Sequence, residues 1–244
     1  MPYSRLILRS HNGCRNRIAT QFALGRIVPG IWITLLCLAA VHPDTGRAAE
    51  LSASVIDRQG HGVGEVVVTV SPESGTVRPT AVPGHAVMDQ LHRAFVPLVL
   101  AVAVGTSVDF PNNDSVSHEV YSFSPAKRFQ LPLYKGEPHL PILFDRAGLV
   151  VLGCNIHDQM VGYIYVTEAP YFGTTQADGS LRLKGVAAGN YKVTFWSPLV
   201  ADAPERLTWS IRVDEGAVVN VPLQLTSDLR ARPEPRPGHG DWEY

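Results

Sequence analysis

Four residues of this chain have types and spacings that can do chemistry together. Cys154, His157 and Met160 stand three apart in Gly153-Cys154-Asn155-Ile156-His157-Asp158-Gln159-Met160. His118 lies upstream, at the end of Asn113-Asp114-Ser115-Val116-Ser117-His118. Two imidazoles, a thiolate and a thioether are the ligand set of a type 1 copper site. In such a site His, His and Cys form a trigonal plane and Met is a weak, distant axial ligand. Soft sulfur suits Cu(I) and imidazole suits both oxidation states, so one geometry serves before and after an electron moves. Taken singly, each residue has a blander reading. A lone Cys is more often a buried thiol, His157 a surface imidazole, Met160 core filler and His118 a loop histidine. Zinc is the rival metal, but its structural sites take more Cys and it seldom takes Met.

The flanking segments read as strands. Leu149–Leu152 and Val161–Val166 are β-branched and aromatic, so Cys154 ends one strand and Val161 begins the next. Three of the four residues therefore share one tight loop. His118 opens a further strand through Glu119–Phe123, just after the turn Asn112-Asn113-Asp114. No stretch has sustained helical periodicity, and 21 Gly and 19 Pro favour short strands and turns. Ser52–Ile56 and Glu65–Val70 flank the turn Gln59-Gly60-His61-Gly62. Phe95–Val104 and Thr106–Phe110 flank Gly105. Asp178-Gly179 and Gly189-Asn190 punctuate alternating runs at Ser180–Leu183 and Tyr191–Trp196, and two more strands are predicted over 207–213 and 218–225.

Residues 1–26 carry five Arg and no acid. The apolar run Ile27–Val41 follows, then small residues to Ala49. The run is 15 residues long, where a bilayer span needs about 20. A basic leader, short apolar core and small-residue end predict a Sec-type signal peptide over 1–49, with an uncleaved anchor as the alternative. No Cys follows in the manner of a lipoprotein, and there is no Arg-Arg pair. The whole chain carries a formal charge of −1; without residues 1–49 it holds 15 basic and 21 acidic residues, net −6. That balance argues against nucleic-acid binding, which needs a basic face. Cys14 and Cys37 leave with the leader, so Cys154 is the one thiol of the exported chain. An unpaired thiol in an oxidising compartment needs an occupant, which is what a metal supplies.

Residues 85–168 resemble the cupredoxins, the small blue-copper proteins of the plastocyanin and amicyanin type. Phe95-Val96-Pro97 resembles their Phe-x-Pro strand. Gly105–Asn113 resembles the segment before their first His ligand, and Cys154-x-x-His157-x-x-Met160 is similar to the short loop of amicyanins. The resemblance implies a Greek-key β-sandwich with one type 1 copper per chain, held by His118, Cys154, His157 and Met160, that shuttles one electron. Two positions depart from the pattern: Glu119 stands where many cupredoxins have Asn, and Ile156 and Asp158 flank His157 where many have Pro.

Residues 169–226 resemble the carboxypeptidase regulatory-like, or prealbumin-like, β-sandwich through Thr174–Leu183 and Val186–Val193. Val55-Ile56-Asp57-Arg58-Gln59-Gly60 and Val66–Val70 resemble its opening strands. The expected architecture is all-β: residues 50–72 and 169–226 form this smaller sandwich, and 73–84 is a linker into the inserted copper domain at 85–168. Residues 227–244 form a loose Pro/Arg-rich tail. The rival is that 50–72 supplies the first strands of the copper domain. The whole chain also resembles exported bacterial proteins labelled methylamine utilisation protein.

These readings imply a periplasmic single-electron carrier whose partner is a redox protein such as a c-type cytochrome or a dehydrogenase, with no membrane contact after signal cleavage. A copper carrier, buffer or sensor is the second hypothesis, and a non-redox β-sandwich binding module the third. An enzyme is disfavoured, since no His-x-His pair, His-Glu-x-x-His, Gly-x-Ser-x-Gly or phosphate-binding loop is present. His92 reads as structural and His139 as a loop residue, while Lys127 and Arg128 are candidates for a docking surface or a solvated turn.

Overall fold

The computed structural model describes residues 48–74, 84–136 and 140–233. The expected signal peptide, most of the expected linker, His139 and residues 234–244 lie outside the described residues.

The described residues are all-β apart from one 3-10 turn at Pro204–Leu207. The first strands are β1 (Ala49–Ile56) and β2 (Val67–Pro72). Ten follow: β3 (His85–Val87), β4 (Asp89–Leu91), β5 (Ala94–Val96), β6 (Val99–Ala103), β7 (Thr106–Asp109), β8 (His118–Ser124), β9 (Lys127–Tyr134), β10 (Ile142–Phe144), β11 (Gly148–Cys154) and β12 (Val161–Thr167). The last five are β13 (Tyr171–Thr174), β14 (Ser180–Val186), β15 (Gly189–Trp196), β16 (Thr208–Val213) and β17 (Val218–Gln224). Among these residues no helix is long and apolar enough to cross a membrane.

The two N-terminal strands pair with the C-terminal ones. β1 lies between β14 and β17, and β2 between β13 and β15, with β16 beyond β15. Val67–Val70 face Trp196–Val193 in antiparallel register. Their alternation explains the pairing of the two sheets. Leu51, Ala53 and Val55 of β1 and Tyr191, Val193 and Phe195 of β15 recur at every second position and meet in one buried core. The turns interlock as well. A Cβ on Gly62 would fall 2.2 Å from the Asp178 carbonyl carbon, and one on Gly179 would fall 2.1 Å from the Val55 oxygen. Gly179 also has φ +79°, so only glycine suits this contact.

The intervening strands form a second core. Five strands run in the order β6-β12-β11-β8-β9, three in the order β10-β7-β3, and β4 and β5 make a hairpin. Phe95, Val108, Phe110, Val120, Phe144, Leu152, Ile164 and Val166 bury together here. A third cluster joins the two bodies. Val67 of β2 packs with Leu98 and Val99, flanked by Tyr163, Tyr165 and Trp196. β2 is thus buried on both faces, which is why the run Val66–Val70 places Val at four of five positions instead of alternating with polar residues, with a buried Thr69 as the fifth. Glu65 spans the same junction: its carboxylate accepts the Leu98 N–H at 3.2 Å and pairs with both Arg232 guanidinium nitrogens, at 2.6 and 3.0 Å.

Residues 227–233, the start of the expected tail over 227–244, also carry specific contacts. The buried Asp202 carboxylate accepts the Thr226 and Ser227 N–H groups, and the Arg230 N–H donates to the Leu199 carbonyl at 2.8 Å. A Pro/Arg-rich composition signals weak core-forming power, but it does not exclude a segment laid down by backbone hydrogen bonds and ion pairs.

Candidate metal centre

β11 carries Cys154 as its last residue, paired with Val120 of β8, and β8 begins with His118. Adjacent antiparallel strands therefore bring residues 36 positions apart in the chain to one end of the sheet. The register against β9 slips between His118 and Val120. Such irregularities re-aim side chains and occur beside functional sites. His118, Val120 and Ser122 alternate inward, so the imidazole points into the second core and is fully buried. The β11–β12 loop then turns tightly, with the Met160 N–H donating to the His157 carbonyl at 2.9 Å.

The three potential ligand atoms form a compact triangle. Cys154 Sγ lies 3.7 Å from His118 Nδ1 and 3.6 Å from His157 Nδ1, and the two Nδ1 atoms are 3.2 Å apart. One ion at ~2.0 Å from each nitrogen and ~2.3 Å from the sulfur would hold its donors roughly 3.3–3.7 Å apart at tetrahedral to trigonal angles. His118, Cys154 and His157 thus form a group that can hold a metal ion. Met160, the fourth predicted residue, is buried in the same core cluster as Cys154. His157 is half-buried, between the exposed Ile156 and Asp158.

The electrostatics keep Cys154 and His157 neutral. Burial pushes the Cys154 thiol above its ordinary value, against the backbone N–H groups of Glu119, Ile156 and His157, which favour the thiolate. The Glu119 charge adds to the rise. Burial also lowers His157, aided by His118 and Arg93, so its ring is neutral at pH 7 and has a lone pair to offer. Asp114 behaves differently. Burial alone would raise its carboxyl, but the Arg93 N–H, the His118 ring and the Ser115 N–H hold it at about 2, ionised at any physiological pH.

Sequence reasoning missed the residues around the cluster. Asp114 Oδ2 lies 3.0 Å from His118 Nε2 and accepts the Arg93 N–H at 2.6 Å. Asn112 is buried and holds the loop: its amide donates to the Val116 and Tyr134 carbonyls, and its oxygen accepts the Asp114 N–H. The available signal was the Asn112-Asn113-Asp114 cluster, whose side chains cap their own turns. Glu119 accepts the Asn155 amide at 3.3 Å and also the Gln130 amide. It therefore links the His118 strand to the loop after Cys154 through the side chain that departs from the pattern. His92, expected to be structural, sits at the tip of the β4–β5 hairpin beside Arg93. Lys127 pairs with Asp145 at the far end of β8, six strand residues or ~20 Å from His118, which places it off this face.

No protein-family model matches the chain, and no curated protein matches it. Among solved structures, it is similar to a purple cupredoxin from Nitrosopumilus maritimus, with 24% identity and a TM-score of 0.30 over 34% of this chain and 99% of that one. A reduced amicyanin variant gives 23% identity and a TM-score of 0.31 over 41% of this chain and 99% of that one. A copper-containing nitrite reductase from Thermus scotoductus SA-01 gives 28% identity and a TM-score of 0.33 over 41% of this chain, which spans only 25% of the reductase.

Proposed function

We propose that this is an exported type 1 copper protein that carries single electrons between periplasmic redox partners and is not itself an enzyme. The observation that carries the reading is the Nδ1–Nδ1–Sγ triangle of His118, His157 and Cys154. Three donors of those types, within one ion's reach and mostly buried, suit a soft metal that changes oxidation state. His118, Cys154 and His157 would hold one copper per chain, with Met160 as a weaker fourth ligand. Bound there, the metal would supply a one-electron couple. The chain's own residues do the rest. Burial of His118, Cys154 and Met160 excludes water. Antiparallel pairing of β8 with β11 fixes two donors on a sheet that cannot relax, so little has to move when the charge changes. The half-buried His157 is the route to a partner such as a c-type cytochrome or dehydrogenase.

The pairing of β1 and β2 with β13–β17 supports reading residues 50–72 and 169–226 as one sandwich with the copper domain inserted at 85–168. The leader at 1–49 supports export. The direct test is the visible spectrum of the protein without its leader after loading with Cu(II). An intense blue or purple thiolate-to-copper band is expected, at about one copper per chain, and Cys154→Ser should abolish it. A colourless Cu(II) complex overturns the proposal.

A further inference from the structure

We infer that Asp114 is the positioning residue of this centre and that the β4–β5 hairpin exists to hold it; the inference rests on the metal-binding reading above. His118 can serve as a ligand through Nδ1 only if its one ring proton sits on Nε2. A neutral imidazole has two tautomers, and the partner of one nitrogen decides which of them forms. Nδ1 faces Cys154 and His157, and Nε2 faces the Asp114 carboxylate, whose two oxygens accept the Arg93 and Ser115 N–H groups. A carboxylate cannot donate, so Nε2 must, and the lone pair is left on Nδ1, aimed at the other two donors.

Asp114 is itself tightly held. Its side chain is 6% exposed. Three N–H groups converge on its two oxygens: Arg93 and His118 at Oδ2, at 2.6 and 3.0 Å, and Ser115 at Oδ1, at 2.6 Å. Only a carboxylate accepts at both oxygens. An Asn side chain could keep the two bonds at one position but would turn its NH2 toward the Ser115 N–H.

The Arg93 amide reaches Asp114 because the hairpin turn is left-handed at two successive residues. His92 has φ +55° and Arg93 φ +58°. The usual residues of such a two-residue turn are Asn and Gly. Non-Gly residues held at positive φ persist where the surroundings over-determine them, and they cluster at functional sites. The contact from Arg93 to Asp114 to His118 is a physical reason for this turn to stand where it does.

The test uses the exported chain without metal. Long-range proton–nitrogen spectra of the 15N-histidine-labelled protein report where His118 carries its proton, and competition with a chelator reports copper affinity. The wild type should show His118 protonated on Nε2 alone. Asp114→Ala should give a mixture of tautomers and lose about 10–100-fold in copper affinity with the sheet signal unchanged. Asp114→Asn should fall between the two and serves if the Ala variant does not fold. A merely structural Asp114 would lower the melting temperature and leave the His118 tautomer alone. Unchanged tautomer and affinity in a folded variant overturn the inference, as does a wild type protonated on Nδ1. A wild type that takes up no copper overturns the proposed function instead, and the tautomer measurement still stands on its own.

Discussion

Cys154 is a thiol that any metal bound there would have to deprotonate. Burial raises its affinity for that proton, and three backbone N–H groups compensate only in part. Below the thiol's raised value, each bound metal expels the proton. His157 is shifted the other way and adds no proton above neutral pH. Apparent copper affinity should therefore rise about tenfold per pH unit between roughly pH 7 and 8.5, as one released proton requires. Chelator competition across that range measures the slope. A flat profile would mean that the thiol is already ionised or is not a ligand, and Cys154→Ser should flatten it.

The β4–β5 hairpin trades stability for placement. Left-handed backbone at His92 and Arg93 costs about 1–2 kcal/mol per residue relative to the right-handed region. Arg93→Gly removes that strain and keeps the N–H that Asp114 accepts. The variant should melt at a higher temperature, with up to about 1 kcal/mol gained after the larger backbone entropy of glycine is counted. Its His118 tautomer should match the wild type. A lower melting temperature would show that the Arg93 side chain, rather than its backbone, stabilises the hairpin.

At the scale of the whole molecule, Trp196 packs at the junction of the two bodies. It packs with Tyr165 at a ring-centroid distance of 5.3 Å and with Tyr163 at 5.9 Å, over the Val67–Leu98–Val99 cluster. Glu65 and Arg232 close the same junction. Trp196→Ala should cost about 2–4 kcal/mol, around and below the lower end of the range for a fully buried large aromatic because the ring is only partly buried. The metal triangle lies in the other core cluster, so the visible spectrum of the loaded variant should not change. Chemical denaturation should remain a single transition in the wild type and separate into two in the variant. A wild type that already unfolds in two steps would show that the junction adds no cooperativity.

Much of this was legible in the chain itself, because periodicity and residue chemistry are local. Alternation at Leu51–Val55 and Tyr191–Phe195 marks half-buried strands, and Cys154-x-x-His157-x-x-Met160 between two β-branched runs places three candidate ligands on one loop. β9 was not legible. Pro132 interrupts its pattern, and it is tolerated because β9 is an edge strand and Pro132 falls, without a register partner, where the pairing with β8 slips. Asp114 was invisible as a partner of His118, since a carboxylate in an Asn/Asp turn ordinarily caps its own loop. The tertiary structure added three things: that β8 lies beside β11 and so brings His118, expected as a ligand, to Cys154; that Arg93, on a hairpin 21 positions back, turns its amide to Asp114; and, between the two readings of residues 50–72, that they pair with strands about a hundred or more positions away. Each is a non-local contact, set by which apolar faces must be buried together and which buried polar groups must find partners, and no window of sequence holds both ends of it.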